Sequence, residues 1–211
     1  MNSLIDLSHP ITDSMQIYPD DEPPHLEKFN DLELEGYNNY RFDTGMHVGT
    51  HIDGPLHMTP QGQFIDEIDI NRFTGKGYLL HAKGEPVIQC KPVYDSKIEN
   101  ECIVVIYSGW SRMFGQENYY EDFPTLSIEL AHLFVEKKIK MVCLDFPSPD
   151  RKPYPIHKLL FSNNILITEN CTNVEKLMAI KEFEIIALPL RVHADSSPAR
   201  VVARELHSSQ S

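Results

Sequence analysis

Six short apolar runs decide what this chain can fold into: LIDL (4–7), YLLHA (78–82), CIVVIYS (102–108), MVCLDF (141–146), NILITE (164–169) and FEIIALPL (183–190). Several are rich in Ile and Val, and Gly, Pro, Asn or Asp bounds them, which is the pattern of buried strands rather than of helices. One amphipathic helix stands out, with Ser127 as N-cap, Leu130, Leu133 and Phe134 at helical spacing, and Lys137 and Lys138 closing the last turn favourably for the dipole. It joins two strands, as a crossover does. A second, shorter helix is expected after Pro155, through His157, Lys158, Leu159 and Leu160. The class is α/β, with strands dominating.

Pro- and Asp-rich stretches, YPDDEPPHLEK (18–28) and DFPSPDRKPYP (145–155), read as loops inside one unit. A single domain over residues 1–206 is expected, with a frayed tail at 207–211. The formal net charge of −12, with no local Lys/Arg cluster, leaves little to neutralise phosphates, so no nucleic acid and no anionic membrane is expected as a partner. A small molecule is. The opening MNSLIDLSHP has neither a basic n-region nor an apolar h-region, and no window approaches the ~20 apolar residues of a membrane span, so a cytoplasmic protein is expected. Cys90, Cys102, Cys143 and Cys171 lie far apart with no C-x-x-C, and reduced structural thiols are the reading.

The stretch HVGTHIDGPLH (47–57) packs His47, His51, Asp53 and His57 into eleven positions. Imidazole and carboxylate are the ligand set of zinc or manganese. Along a straight strand at ~3.3 Å per residue, His47 and Asp53 would stand about 20 Å apart, beyond the reach of one ion with ~2 Å bonds. The chain must therefore bend, and Gly49 with the Gly54-Pro55 pair supplies the freedom and the stop. Other polar groups have plainer readings. Asp20, Asp21 and Glu22 form a hydrated loop without EF-hand spacing. Trp110 reads as core or pocket wall, and His193, Asp195 and Ser196 as a solvated turn. No G-x-S-x-G marks a nucleophile elbow.

The motif H-x-G-T-H-x-D-x-P-x-H resembles the signature of the cyclase family of metal-dependent hydrolases, to which bacterial kynurenine formamidase and isatin hydrolase belong. The likeness extends through DLSHPI (6–11), YSGWSRMFG (107–115), LSIELAHLF with MVCLDFPSPD (126–150), PIHKLLFSNNILITEN (155–170) and ALPLRVHADSSPARVVA (187–203), the last resembling the closing strands. The resemblance implies a swivelling β/β/α domain, a mixed β-sheet core with a few flanking helices, assembled as a homodimer or homotetramer. It also implies two metal positions: His47, His51, Asp53 and Glu169 on one ion, and Asp53, His157 and Glu169 on the other, Asp53 and Glu169 bridging. Zn2+, two per chain, is the expected cofactor, and Mn2+ accepts the same donors. His57 matches the acid/base residue of the family. A neutral imidazole suits proton transfer near pH 7, although an extra ligand is the competing role.

The activity implied is hydrolysis of a small amide, first an arylformamidase turning N-formylkynurenine into kynurenine and formate. A cyclic amide or lactone is the alternative substrate, and a non-catalytic metal-binding protein the alternative of another class. One departure bears on substrate choice. Kynurenine formamidase carries a substrate-contacting tryptophan where MQIYPDDEP (15–23) has Tyr18, and a tyrosine stacks on an aryl ring while adding a hydroxyl that needs a partner. Packing of Tyr18 on its own domain or on a second subunit is the other reading.

Overall fold

The computed structural model describes residues 4–13 and 15–206, so the tail expected to fray, 207–211, lies outside the described residues. In chain order the strands are β1 (Leu4–Asp6), β2 (His25–Asn30), β3 (Asn39–Asp43), β4 (His51–Asp53), β5 (Thr74–His81), β6 (Val87–Ile88), β7 (Ile103–Tyr107), β8 (Thr125–Leu126), β9 (Met141–Leu144), β10 (Leu166–Glu169), β11 (Phe183–Pro189) and β12 (Ser196–Glu205). The helices are α1 (Leu32–Glu35), α2 (Pro92–Lys97), α3 (Ile128–Glu136) and α4 (Pro155–Ser162). All six apolar runs became strands, and both expected helices formed. Ser127 caps α3 by accepting from Leu130 N at 3.2 Å.

The main sheet runs β1-β12-β11-β5-β7-β9-β10-β4, and β4 pairs with β12 as well, so seven strands close into a barrel. Strands β5, β7, β9 and β10 are parallel neighbours. The crossovers between β7, β9 and β10 carry α3 and α4, which cover that half of the barrel, as parallel strands require. The remaining pairings are antiparallel. Closure depends on the length of β12: its first residues, Ser196 to Pro198, pair with β4, and Val202 to Arg204 pair with β1 along the same edge.

Strand alternation sorts the core into two layers. Ile103, Val105 and Tyr107 of β7, Met141 and Cys143 of β9, and Ile52 of β4 fill the barrel. Val104 and Ile106, Val142 and Leu144, and Ile167 face outward against Leu130, Phe134, Leu160 and Phe161 of α3 and α4. Cys102, Cys143 and Cys171 are buried free thiols, and Cys90 is exposed. Trp110 is half-buried against the outer layer and donates Nε1 to the Tyr119 carbonyl, in keeping with a packing role.

Two expectations need correction. The stretch 18–28 is not all loop: from His25 it pairs with β3, forming a hairpin apart from the barrel. Both its strands are largely exposed and so lack the one-sided apolar alternation by which a strand is read. The turn-rich stretch at 193–196 is only partly solvated. His193 is exposed, but Ser196 is fully buried at the start of β12, and Asp195 immediately before it is turned toward the histidines of the motif.

Candidate metal centre

The alternation that sends Ile52 into the barrel sends His51 and Asp53 out through the same wall. Glu169 shares the outward face of β10 with Ile167, and β10 pairs with β4 in a register that sets Glu169 opposite His51. Helix α4 crosses above and contributes His157. The site therefore lies between the barrel wall and α4 rather than inside the barrel. The bend expected in the motif is present: Gly49 takes φ +59°, β4 lasts three residues, and Pro55–His57 forms a single 3-10 turn. Gly54 serves through its size. A Cβ there would stand 2.9 Å from the Asp195 carbonyl oxygen, which accepts from Gly54 N at 2.9 Å.

The structure brings His47, His51, Asp53, His57, His157 and Glu169 together. His47 Nδ1 is 2.9 Å from Asp53 Oδ1, and His51 Nε2 is 3.3 Å from Asp53 Oδ1 and 3.5 Å from Glu169 Oε2. His157 Nε2 is 3.5 Å from Glu169 Oε1, so the two Glu169 oxygens face different imidazoles, as a bridging carboxylate would. His47, Asp53 and His57 form one compact donor group, and His51, Asp53 and Glu169 a second that shares Asp53. His157 joins through Glu169.

Three of these atoms carry the chemical argument. His51 Nε2, Asp53 Oδ1 and Glu169 Oε1 are buried without a hydrogen-bond partner. His51 Nδ1 meets the Gly49 carbonyl at 2.9 Å and so bears its hydrogen there, which turns the lone pair of Nε2 toward carboxylate oxygens that are themselves only acceptors. Lone pairs facing one another in a buried site cost free energy until positive charge sits between them. Imidazole and carboxylate donors arranged this way fit a divalent cation.

The electrostatics agree. Burial alone would lower the His47 pKa, yet the carboxylates of Asp53 and Asp195 push it up to about 11. Against the same burial, Asp53 and Glu169 raise His51, and Asp150 and Glu169 hold His157 up to about 9. Burial would raise Asp53, but the imidazoles keep its carboxyl well below the usual range, and hydrogen bonds from His47 and His57 depress Asp195. Four carboxylates thus draw positive charge into the site.

Two members escape a reading of the residues. Asp150, in the loop before α4, accepts from His157 Nδ1 at 2.5 Å and from Ile156 N at 2.5 Å, so one carboxylate caps the helix and fixes the ring. Asp150 stands four residues ahead of the N-cap position, Tyr154, so no local capping signal marks it. Asp195 Oδ2 meets His57 Nδ1 at 2.9 Å and His47 Nε2 at 3.1 Å, and Ser196 Oγ lies 3.0 Å from the same His47 nitrogen. Tyr18 stands at the flank, edge-on to Tyr120 with 5.4 Å between ring centroids. Burial first, then Tyr154 and the Glu169 charge, raise its phenol to about 12.

The Cyclase family model matches residues 5–151, well over half of the chain. The chain belongs to the cyclase family. Among curated cyclase-family relatives, the kynurenine formamidase of Bacillus cereus (strain ATCC 14579) is 30% identical over 208 residues, 96% of this chain and 97% of that protein. That of Geobacillus thermodenitrificans (strain NG80-2) is 27% identical over 212 residues, 98% of this chain and 99% of that protein. Isatin hydrolase A from Ralstonia solanacearum shares the cyclase-family fold, with a TM-score of 0.84 at 20% identity over 97% of this chain and 92% of that one. The family model holds the motif but stops before His157, Glu169 and Asp195. In this cyclase-family chain those three residues join the motif through helix α4, strand β10 and the closing of the barrel by β12.

Proposed function

We propose that the protein is a metal-dependent amidohydrolase that cleaves the C–N bond of a small aryl formamide, N-formylkynurenine first among them. The convergence of buried, unpartnered donor atoms at His51, Asp53 and Glu169 carries this reading. The full-length likeness to proteins named kynurenine formamidase supports the bond type. His47, His51, Asp53, His157 and Glu169 would hold up to two divalent ions. Zinc is the first choice for three imidazoles and two carboxylates, and manganese accepts the same set. Bound there, the metal supplies Lewis acidity, which makes water a nucleophile near neutral pH and polarises a carbonyl oxygen.

The protein's own groups do the rest. An amide nitrogen leaves as an amine only once it is protonated, and His57, beside His47 with ring centroids 4.2 Å apart, is the group that delivers that proton. Phe161 stands edge-on to His57 at 6.2 Å. Tyr18, with Tyr120 beside it, offers an aromatic wall on which an aryl ring packs. The hairpin of β2 and β3 supports a homodimer or homotetramer: Phe29, Leu32, Leu34, Tyr37, Tyr40 and Phe42 are exposed on it, and a lone two-stranded hairpin is marginal without a partner surface. No helix among the described residues is long and apolar enough to cross a membrane, and with four free cysteines this supports the cytoplasm as its location.

The test is formate release from N-formylkynurenine and formanilide, with isatin as the cyclic comparison, by protein loaded with zinc or manganese and assayed for metal. His57→Ala should keep the metal and lose about 10² to 10⁴ in turnover, and His51→Ala should lose the metal itself. Absence of turnover on all three substrates with either metal would overturn the assignment.

A further inference from the structure

One carboxylate touches both halves of the site. Asp195 Oδ2 accepts from His57 Nδ1 at 2.9 Å and from His47 Nε2 at 3.1 Å. Its backbone is pinned on both sides, since the Asp195 carbonyl accepts from Gly54 N and the Ala194 carbonyl from Ile65 N at 2.8 Å. The residue therefore sits on the motif it contacts, at the point where β12 starts to pair with β4.

An ionised carboxylate can only accept, so both ring nitrogens that face it carry hydrogens. For neutral rings the consequence is specific: the lone pair of His57 is on Nε2, and that of His47 on Nδ1, the atom 2.9 Å from Asp53. The other two imidazoles are set separately, in the same tautomer as His57 and opposite to His47. His51 Nδ1 is taken by the Gly49 carbonyl and His157 Nδ1 by Asp150, which leaves Nε2 of each for the site. The geometry points to Asp195 as the positioning residue that fixes the tautomer and orientation of His57 and His47 together, so that His57 works through Nε2 while His47 binds metal through Nδ1. Asp195 acts through these rings. The inference rests on the proposed roles of His47 as ligand and His57 as proton donor.

Long-range ¹H–¹⁵N correlation on full-length, zinc-loaded protein with ¹⁵N-labelled histidine reads the tautomer of each ring without any substrate, His57→Gln supplying the assignment. The expected wild-type result is hydrogen on Nδ1 of His57 and on Nε2 of His47. In Asp195→Asn the amide can turn its NH2 toward a ring, so His57 should shift its hydrogen wholly or partly to Nε2. Loss of an outer carboxylate partner should also weaken zinc binding about 10- to 100-fold. At saturating zinc, turnover of formanilide should fall at least tenfold further than that of an activated aryl ester, whose leaving group needs no proton. Asp195→Glu, which restores the carboxylate, should recover part of each loss, and the wild-type spectrum decides the matter if the Asn variant does not fold. Hydrogen on Nε2 of His57 in the wild type, or an unchanged tautomer in a folded Asp195→Asn, would overturn the inference. A correct tautomer pattern in a protein that hydrolyses no formamide would leave Asp195 in place and remove only the substrate assignment.

Discussion

Adding zinc to chelator-stripped protein at pH 7 should expel protons, and their number follows from the site. With no cation present, Asp53 and Asp195 overcome burial and hold His47 up to about 11, and Asp150 with Glu169 holds His157 up to about 9. Both values lie two or more units above pH 7, so each ring is about 99% protonated there. An imidazole must be neutral to bind metal, so filling both positions should displace about two protons per chain, with His51, also raised, adding to the count. Calorimetric titration in buffers of different ionisation enthalpy gives this number as a slope. The same protons set a pH dependence: between pH 7 and 9, the product of the two zinc affinities should rise about 100-fold per unit while two rings must each give up a proton. Stability of the metal-free protein runs the other way. Folded-state values raised above the ordinary 6.5 give stabilisation fully present below 6.5, which is lost as pH climbs through 9 for His157 and 11 for His47. Tight zinc binding with no proton release would refute the reasoning, because it would mean that the carboxylates do not charge these rings.

Gly54→Ala should destabilise the protein by about 1–3 kcal/mol in urea unfolding, because φ of −93° suits alanine but its Cβ meets the Asp195 carbonyl at 2.9 Å; an unchanged midpoint would show that this backbone yields freely. Asp145 is fully buried, and burial outweighs its hydrogen bonds from Ser108 and Gly109 to raise its pKa to about 6. Its folded form therefore holds a proton more tightly than the unfolded chain, and stability on the order of 3 kcal/mol should be present below pH 3.8 and fall away as pH rises through 6. Asp145→Asn should flatten that slope between pH 4 and 6 whatever its absolute stability, and an unaltered slope would contradict the assignment. Leu34→Glu with Phe42→Glu on the exposed hairpin should convert the proposed homodimer or homotetramer to monomers by light scattering; a mass unchanged from wild type would show that the hairpin is not a subunit interface.

Five of the seven barrel strands, β5, β7, β9, β10 and β11, were legible because each was a short apolar run with turn residues at its ends, β12 only through the family resemblance, and α3 because Ser127 and the Leu130, Leu133 and Phe134 stripe mark it unambiguously. His47, His51 and Asp53 were legible because four donors within eleven residues are hard to place otherwise. His157 and Glu169 needed the family resemblance, since nothing local marks a histidine on a short helix or a glutamate at a strand end as a ligand. The β2–β3 hairpin was obscured by its exposure on both faces. Asp195 was the clearest loss. Its neighbours Ala194 and Ser196 carry no periodicity, and its partners are 138 and 148 residues away, so its role exists only once the barrel has closed.

Closure has a consequence for biosynthesis. His51 and Asp53 lie on a three-residue strand held between β10 and β12, and β12 follows every other strand among the described residues. A nascent chain on the ribosome carries His47, His51 and Asp53 early and His157 and Glu169 late, but their wall is unsupported on one side until Ser196 to Pro198 emerges and pairs with β4. Such distant pairings form slowly, because the intervening loop must be ordered first. The wall that carries His51 and Asp53 is therefore completed only after residue 196 has been made, and a ribosome stalled before it would display all five proposed ligands in sequence on a wall still open at one edge.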